Sequence, residues 1–429
     1  MRKLIAILLV AMFALAAAQD AVTLNYITGN RGQDVEYAKA RAAEYTAMHP
    51  NVTINVIQGP ESATDRAQQY LQFFEAQSGE VDVFEIDVIW PGDMAEHLLD
   101  LGAYDDLKTA SADFFPAIVN NNTVDGHLVG MPYFTDAGLL YYRSDLLEKY
   151  GFDGPPTTWA ELENMSIQIQ QGEREAGNAD FWGFVWQGNA YEGLTCDALE
   201  WVTSFGGGEI VDIQADGNKL ITINNERAIA ALNTAKGWVG TISPPGVTGY
   251  QEEDARNVWH AGNAAFMRNW PYAFSLTLND SVVGSNFGVA ALPMGPNGRS
   301  AATLGGWQLA VSKYSANPDA AADFVAFLTS HESQLTNAIE RSLLPTRPAV
   351  YSDQALLDSD SAFMADFLPV FQAAVARPST ATAPRYLEVS KLFFDAVHSV
   401  LTGEEDAAIA LDILSLDIQE KTGYDIASE

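Results

Sequence analysis

Cysteine is almost absent from this chain of 429 residues. Its one cysteine, Cys196, has no second thiol with which to form an internal disulfide. The residues around it, LTCDAL at 194–199, read as an ordinary helix. A lone cysteine in such a setting acts as a small apolar side chain. We therefore expect Cys196 to have a structural role in the core.

Basic residues are also scarce. Lys and Arg number 23 against 56 Asp and Glu, which gives a formal net charge of −33 at pH 7. A nucleic-acid-binding protein needs a basic face for the phosphates, and an anionic membrane surface makes the same demand. The composition disfavours both partners, and the excess of negative charge is typical of a soluble protein.

Motifs for metals, cofactors and covalent catalysis are missing. The 6 histidines lie far apart in the sequence, and none is three or four residues from another. The phosphate-binding loop, the zinc-protease motif and the nucleophile elbow do not occur. The glycines at 206–208 lack the rest of a dinucleotide-binding loop and are more typical of a helix end. We expect no metal, no cofactor and no catalytic residues.

A long apolar run occurs only near the amino terminus. Arg2 and Lys3 precede the run LIAILLVAMFAL at 4–15, and three alanines at 16–18 then offer a cleavage site with small residues. This pattern predicts a secretory signal peptide at 1–18, because the run is too short to span a membrane. No cysteine follows it, so no lipid anchor is predicted. We expect a mature protein that begins near Gln19 and is secreted to the periplasm or the cell exterior.

The spacing of the apolar residues favours an α/β protein. Segments 22–27 and 52–57 alternate as strands do, and 34–49 has helical spacing. Strand, helix and strand in succession imply a parallel sheet, to which 81–89 adds a further strand. Ligands bind at the carboxyl ends of such strands, where Asp87 lies. The length suggests two domains, and the absence of a break in composition favours two lobes joined by several chain crossings.

Aromatic side chains recur beside turns and close to isolated carboxylates. A flat ring suits the C–H face of a sugar, and a carboxylate accepts hydrogen bonds from its hydroxyls. The mix therefore indicates a neutral sugar as ligand. The same rings are also compatible with packing in a core, and paired acids are compatible with a glycosidase. The residues concerned are Asp87, Trp90, Phe134, Asp136, Trp270, Tyr272 and Trp307.

Several segments in order resemble the extracellular solute-binding proteins of carbohydrate ABC importers, and most closely the trehalose/maltose-binding proteins. The resemblance covers nearly all of the mature chain. It is carried by DVFEIDVIW at 82–90, TDAGLLYYRSDLL at 135–147, FWGFVWQG at 181–188, YEGL at 191–194, GNAAF at 262–266, RNWPYA at 268–273 and SAATLGGW at 300–307.

The resemblance implies a particular architecture and particular partners. The fold would be the α/β two-lobe periplasmic-binding-protein fold, with a hinge of three chain crossings and a central ligand cleft. We expect the first lobe at 19–136 plus 303–350 and the second at 137–302 plus 351–429. The protein would be a monomer that delivers its ligand to the membrane permease of an importer driven by a cytoplasmic ATPase.

The resemblance also implies which residues contact the ligand. The first loop, 29–33, departs from the family pattern, and its acidic group falls at Asp34 or at Glu36. Phe134 stands where a tyrosine is expected, which removes one hydroxyl. The carboxylates, aromatic platforms, close-approach glycines and guanidinium donors carried over are Asp34, Asp65, Arg66, Asp87, Phe134, Asp136, Trp270, Tyr272, Gly305, Gly306, Trp307 and Arg377.

The expected function is capture of a small gluco-oligosaccharide, a disaccharide of the trehalose or maltose type, without catalysis. Other ligands remain open, namely another oligosaccharide or a glycerol-phosphate-type compound. A secreted glycosidase is the alternative from a different class. A further alternative is a sensor that binds the same sugar but docks on a membrane receptor.

Overall fold

A computed structural model describes residues 21–427 of the chain. The predicted signal peptide at 1–18 lies outside the described residues. Among residues 21–427, no helix combines the length and the apolar character needed to cross a membrane.

The strands form two main sheets, one in each lobe, and two small ones. In chain order the strands are β1 (Val22–Thr28), β2 (Val52–Gln58), β3 (Val83–Asp87), β4 (Thr123–Val124), β5 (His127–Leu128), β6 (Met131–Ala137), β7 (Leu139–Arg143), β8 (Trp182–Val185), β9 (Val211–Ile213), β10 (Lys219–Ile221), β11 (Ala264–Asn269), β12 (Phe287–Ala290), β13 (Leu304–Val311), β14 (Leu344–Pro345) and β15 (Asp425–Ile426).

Helices surround both main sheets. They are α1 (Asp34–Met48), α2 (Ala63–Glu75), α3 (Pro91–Met94), α4 (Asp105–Ala110), α5 (Pro116–Asn121), α6 (Ser144–Tyr150), α7 (Trp159–Glu175), α8 (Glu192–Ser204), α9 (Glu226–Trp238), α10 (Glu252–His260), α11 (Ala273–Asp280), α12 (Pro318–Leu328), α13 (His331–Arg341), α14 (Gln354–Leu357), α15 (Phe363–Gln372), α16 (Ser379–Thr382), α17 (Tyr386–Thr402) and α18 (Ala407–Thr422). Single 3-10 turns lie at Ala95–His97, Leu101–Ala103, Ser111–Asp113, Pro245–Gly249, Pro348–Ser352 and Asp360–Ala362.

The first lobe is built on a sheet of six strands in the order β14-β6-β13-β3-β1-β2. β1 pairs in parallel with both β2 and β3, so the predicted parallel start of the chain is confirmed. β13 runs antiparallel to its two neighbours, β3 and β6. Its insertion brings the end of β3 and the end of β6 to opposite sides of one glycine-rich strand.

The second lobe is built on a sheet of four strands in the order β12-β7-β11-β8. A capping box is present at the start of α7, where Thr158 accepts from the Glu161 N–H and Glu161 accepts from the Thr158 N–H. Helices α8, α9, α17 and α18 pack against one another on this lobe. Cys196 is buried in α8, as expected.

Three chain crossings join the lobes. The chain passes from β6 to β7 through Gly138, returns between β12 and β13, and leaves the first sheet again after β14. The lobes therefore share segments that are distant in sequence. The lobe boundaries after residues 136, 302 and 350 stay predictions.

Two strands extend further than their sequence indicated. β6 runs past the mostly apolar stretch 128–134 to Ala137, and β13 begins at Leu304, before the stretch 308–312. The added residues include Thr135, Asp136 and two glycines, which read as turn residues in an isolated sequence. They pair with each other across the sheet, Gly305 opposite Asp136 and Gly306 opposite Thr135.

Candidate functional site

A closed cavity lies between the two lobes. Its volume is about 30 Å³, far below the roughly 300–1,000 Å³ typical of small-molecule sites, so the lobes are closed tightly on it. Its charged lining side chains are buried. The predicted residues that meet there are Asp87, Asp136, Trp270, Gly305, Gly306, Trp307 and Arg377, and the lining is completed by Arg31, Ala63, Glu192, Gly193, Cys196 and Glu252.

Larger cavities of about 360 and 320 Å³ lie beside α5. Their walls are mostly apolar, and Arg377 is the one charged side chain in either lining. A polar solute needs several converging hydrogen-bonding groups. The closed cavity, with its carboxylates and guanidinium groups, is therefore the candidate site.

Arg377 joins the two lobes through a buried network of carboxylates. Its Nη2 donates to Oδ1 of Asp87 at the end of β3, over 2.7 Å. Its Nη1 donates to Oε1 of Glu192 at the start of α8, over 2.9 Å. Burial raises the pKa of Glu192, and the Arg377 guanidinium opposes that rise. One cation thus compensates two buried negative charges that come from different lobes.

Glu192 is oriented by several further hydrogen bonds. The Tyr386 hydroxyl donates to Oε1 and the Ser390 hydroxyl to Oε2, each over 2.6 Å. The backbone N–H of Glu192 donates to the Thr64 hydroxyl of the first lobe over 3.0 Å. The residue therefore holds the lobes together as well as lining the cavity.

Among the carboxylates that line the cavity, Asp136 has the most unused capacity for hydrogen bonds. Its side chain is 3% exposed, and Oδ1 has no hydrogen-bond partner among residues 21–427. Burial raises the pKa of Asp136 to about 7, although the Arg31 guanidinium lowers it. A buried acceptor without a partner is costly, and a donor supplied by a ligand would satisfy it.

Trp270 is held on one side of the cavity by charged groups. Its Nε1 donates to Oε1 of Glu252 over 3.2 Å, while the hydroxyl of Tyr191 donates to Oε2 of Glu252 over 2.7 Å. The guanidinium carbon of Arg268 lies 4.0 Å from the centre of the indole ring. These contacts fix the ring and leave it available to stack on a ligand.

Gly305 and Gly306 allow β13 to pass close to the site. A Cβ atom on Gly305 would lie 3.0 Å from both the Asp136 Cβ and the Trp270 ring. Gly306 has φ +126, a conformation that other residues rarely adopt, and a Cβ there would lie 2.6 Å from the Phe134 carbonyl oxygen. Gly305 therefore lets β13 lie close to Asp136 and Trp270, and Gly306 lets it lie close to the backbone of β6.

Trp307 also lines the cavity, and its ring lies among two guanidinium groups and another indole ring. The guanidinium carbon of Arg66 is 4.1 Å from its ring centre and that of Arg31 is 5.2 Å away. Trp90 meets the ring edge-on, with 5.5 Å between centres. Arg66 also donates to the Pro60 carbonyl oxygen and lies 3.7 Å from Glu85. Arg66 therefore supports Trp307 from behind instead of lining the cavity.

Tyr272 closes the cleft beside the cavity. Its hydroxyl donates to Oε1 of Glu253 over 2.6 Å. Its ring centre is 5.9 Å from the guanidinium carbon of Arg31 in the first lobe, and a Cβ atom on Gly32 would lie 3.2 Å from the ring. Tyr272 thus belongs to the contact between the lobes and not to the cavity wall.

Three other predicted residues do not line the cavity. Asp34 is paired within the first lobe with Arg341 and accepts from the Arg31 N–H. Phe134 packs in the core of the first lobe, with its ring centre 5.3 Å from that of Tyr133. Asp65 is exposed on α2. Adjacent helical residues point about 100° apart, so Asp65 and its buried neighbour Arg66 cannot face the same cleft.

Sequence reasoning missed Arg31, Glu192, Cys196 and Glu252 as lining residues. Glu192 and Glu252 are the first residues of helices α8 and α10, where acidic residues are common for helix stability alone. Arg31 lies in the first loop, the segment that departs from the family pattern. That departure was the one available signal.

The arrangement suits recognition of a neutral polar solute. Carboxylate oxygens accept from hydroxyl groups, guanidinium groups donate to them, and the indole rings offer apolar faces. In the part of the chain that the structure describes, no cluster of three or more His, Cys, Asp or Glu side chains is arranged to hold a metal ion.

Two α/β lobes with a buried polar site between them define a hinged binding protein. A profile of the bacterial extracellular solute-binding proteins matches residues 29–335. This chain belongs to that family, and its two-lobe periplasmic-binding-protein fold is confirmed.

Two similar proteins match this chain over nearly their full length, and a third matches over about two thirds of its length. A probable ABC transporter-binding protein of Deinococcus radiodurans is 48% identical over 416 residues, which cover 96% of this chain and 97% of that protein. The structure of maltose-bound T. maritima MalE3 superposes with a TM-score of 0.88 at 41% identity, covering 94% of this chain and 100% of the other. A maltodextrin-binding protein of Bacillus subtilis is 24% identical over 313 residues, 70% of this chain and 69% of its own length.

Proposed function

We propose that this protein captures a disaccharide of the maltose or trehalose type and delivers it to the permease of an ABC importer. The unpartnered Asp136 carboxylate, buried in the cleft against Trp270, is the observation that carries the proposal. A hydroxyl of the sugar would donate to Oδ1, and the ring would stack on the indole face. The 41% identity to a maltose-bound protein supports this class of ligand.

Capture works by closure of the hinge. Groups from both lobes meet around the cavity, so a sugar that contacts them stabilises the closed form over the open form. Micromolar affinity needs about 8 kcal/mol of net binding free energy. Stacking on Trp270 together with charge-assisted hydrogen bonds to Asp87, Asp136 and Arg377 supplies contributions of the right kind.

Calorimetric titration of unfolded and refolded protein tests the ligand, because refolding removes any sugar carried through purification. Maltose, trehalose, isomaltose, lactose, sucrose and glycerol 3-phosphate form the panel. We expect saturable binding at one site, tightest for maltose or trehalose. Binding of lactose or glycerol 3-phosphate alone would reject an α-glucosidic disaccharide.

The proposal includes the absence of catalysis. Asp87 and Glu192 are both engaged by Arg377, and two engaged carboxylates are poorly placed to act as acid and nucleophile in glycoside cleavage. Incubation of the protein with maltose and with trehalose should return the intact disaccharide. Release of glucose in proportion to time and protein concentration would favour the glycosidase instead.

Secretion and a monomeric state are also part of the proposal. Mass spectrometry of the protein exported by its native host should find a mature amino terminus near Gln19. Light scattering after size-exclusion chromatography should give the mass of one chain. Uptake of labelled disaccharide should be lost when the gene is deleted and return when it is restored.

A further inference from the structure

Arg31 is a buried arginine of the cavity whose side chain is not committed to other protein groups. It follows β1 in the first lobe and is 9% exposed. It lies between two aromatic rings, one from each lobe, 5.2 Å from the centre of Trp307 and 5.9 Å from that of Tyr272. Its Nε has no hydrogen-bond partner within residues 21–427.

The other arginines around the site are used differently. Arg377 bonds to Asp87 and Glu192, and Arg268 donates twice to Glu200. Arg66 donates from two nitrogens to the Pro60 carbonyl oxygen. Arg31 alone among these cavity-side arginines contacts the rings without a side-chain hydrogen bond in the described part of the chain. A buried N–H donor left unsatisfied is costly unless a ligand uses it.

The cavity therefore holds unsatisfied donors and an unsatisfied acceptor. The acceptor is Asp136 Oδ1, and Arg31 Nε and Arg377 Nε are donors without a partner among residues 21–427; all three residues line the same space. Arg377 is held in place by its other nitrogens, which donate to Asp87 and Glu192, whereas Arg31 has no such side-chain bonds. The charges of Arg31 and Asp136 also influence each other, since Arg31 lowers the pKa of Asp136. A sugar hydroxyl both donates and accepts, so one hydroxyl or two adjacent ones would satisfy both groups.

We propose that Arg31 is a ligand-contacting residue that determines specificity. Arg31 donates a hydrogen bond to a sugar hydroxyl, and the Asp136 carboxylate accepts one from that hydroxyl or its neighbour. The inference rests on the proposed function and extends it to a residue in the first loop. The protein should bind a sugar with a free hydroxyl at the contacted position more tightly than the deoxy analogue that lacks this hydroxyl.

The alternative role for Arg31 is to hold the lobes closed through Tyr272. If Arg31 acts through closure, its substitution should lower the affinity for every ligand by the same factor. A contact with one hydroxyl would instead weaken the parent sugar while leaving the matching deoxy sugar unaffected. A cycle of protein variants and monodeoxy sugars separates the two roles, because only a direct contact gives a coupling energy.

The experiment uses the full mature chain and the tightest disaccharide of the panel, with its monodeoxy derivatives as probes. Arg31→Gln removes the charge and most donors, while Arg31→Lys keeps the charge but not the planar group. Arg347→Gln is the matched control, because Arg347 is buried, stacks 4.1 Å from Phe114 and lies outside the cavity lining. Thermal denaturation establishes that each variant folds.

We expect Arg31→Gln and Arg31→Lys each to lower affinity about tenfold or more, and Arg347→Gln to leave it unchanged. One monodeoxy sugar should bind the wild type about tenfold more weakly than the parent and bind both Arg31 variants no worse than the parent. If Arg31→Gln does not fold, Arg31→Lys carries the same comparison.

The pH profile of affinity gives a second readout. Arg31→Gln should move the midpoint of the profile to higher pH, because the Asp136 carboxylate loses a cation, whereas Arg31→Lys should not move it. Other charged or titratable groups that interact with Asp136 are unchanged by the substitution; they are Asp34, Asp87, Tyr141, Arg268 and Tyr351.

Two results would overturn the inference while leaving the proposed function intact. One is wild-type affinity in both Arg31 variants. The other is an equal loss for the parent and for every monodeoxy sugar, which would assign Arg31 to closure. A wild-type protein that binds no disaccharide would overturn the proposed function and the inference with it.

Discussion

The carboxylate of Glu252 accepts a hydrogen bond from Nε1 of Trp270 over 3.2 Å, between the first residue of α10 and the residue after β11. The bond fixes the indole ring at the cavity wall, where Arg268 covers it at 4.0 Å. A platform for stacking is useful only when its ring does not rotate away. The binding surface therefore depends on groups that need not touch the ligand.

Trp270→Ala should lower affinity for the disaccharide about tenfold or more, because stacking area and ring order are lost together. Calorimetric titration measures the loss. Trp182→Ala is the matched control, since Arg174 lies 4.4 Å from the Trp182 ring in a similar stack that is not part of the cavity lining. Equal affinities for wild type and Trp270→Ala would remove the assigned platform.

In the absence of ligand, the Asp136→Asn variant should gain stability relative to the wild type as the pH rises. Burial raises the pKa of Asp136 to about 7, above its value in the unfolded chain. The folded protein therefore holds a proton that the unfolded chain releases, and stability from this group is lost as pH rises through 7. Asparagine does not ionise, so its melting temperature relative to wild type should rise by about 2 °C or more between pH 5 and pH 8. A constant difference across this range would contradict an elevated pKa.

Affinity of the wild type should increase as Asp136 ionises. Sugar hydroxyls donate more strongly to a carboxylate than to a neutral acid. With a pKa of about 7, the ionised fraction grows up to about tenfold between pH 6 and pH 8, which sets the upper limit of the gain. Titrations across this range should show the rise for the wild type and a flat profile for Asp136→Asn. A rise of equal size in both proteins would place the titrating group elsewhere.

Arg377→Gln should destabilise the protein as well as weaken binding. It leaves Asp87 and Glu192 buried without their shared cation, and breaking a buried ion pair on one side costs about 3–5 kcal/mol. Chemical denaturation measures this cost. Arg385→Gln is the control, because Arg385 is exposed and its distance to Glu388 is 4.0 Å. A loss as small as that of the control would mean that the network contributes little.

Gly306→Ala should destabilise the first lobe by about 1–3 kcal/mol. Its φ of +126 is unfavourable for alanine, and the added Cβ would lie 2.6 Å from the Phe134 carbonyl oxygen. Gly154→Ala is the control, because a Cβ there has no heavy atom within 4 Å. Thermal denaturation of both variants gives the comparison. Equal melting temperatures would show that β13 can shift without cost.

The sequence was sufficient for the parts of the fold that depend on local pattern. The strands at 22–27 and 52–57 and the helix between them all appear as predicted. The ends of β6 and β13 that enter the site were not predicted, because polar residues and glycines there pair across the sheet. Local pattern could not reveal that pairing, since the partners are about 170 residues apart, as Asp136 and Gly305 show.

The site was only partly predictable for a similar reason. Asp87 is the last residue of β3, so the rule for strand ends located it. Asp136 was identified from the neighbouring aromatic residues and from the family resemblance. Asp34 was expected at the ligand but is paired with Arg341, far along the chain. Glu252 looked like an ordinary first residue of a helix until the fold brought Trp270 to it. Residues whose role depends on a tertiary partner gave no local sign of that role.

The position of β13 in the first sheet also affects how the chain is made. This strand lies between β3 and β6, yet it is synthesised long after both of them. Until residue 311 has left the ribosome, β6 has no bond to the strands that open the chain, and the first lobe exists only as fragments. The first lobe of a protein with this strand order stays incomplete for most of its translation, a property that would suit the secretion proposed above.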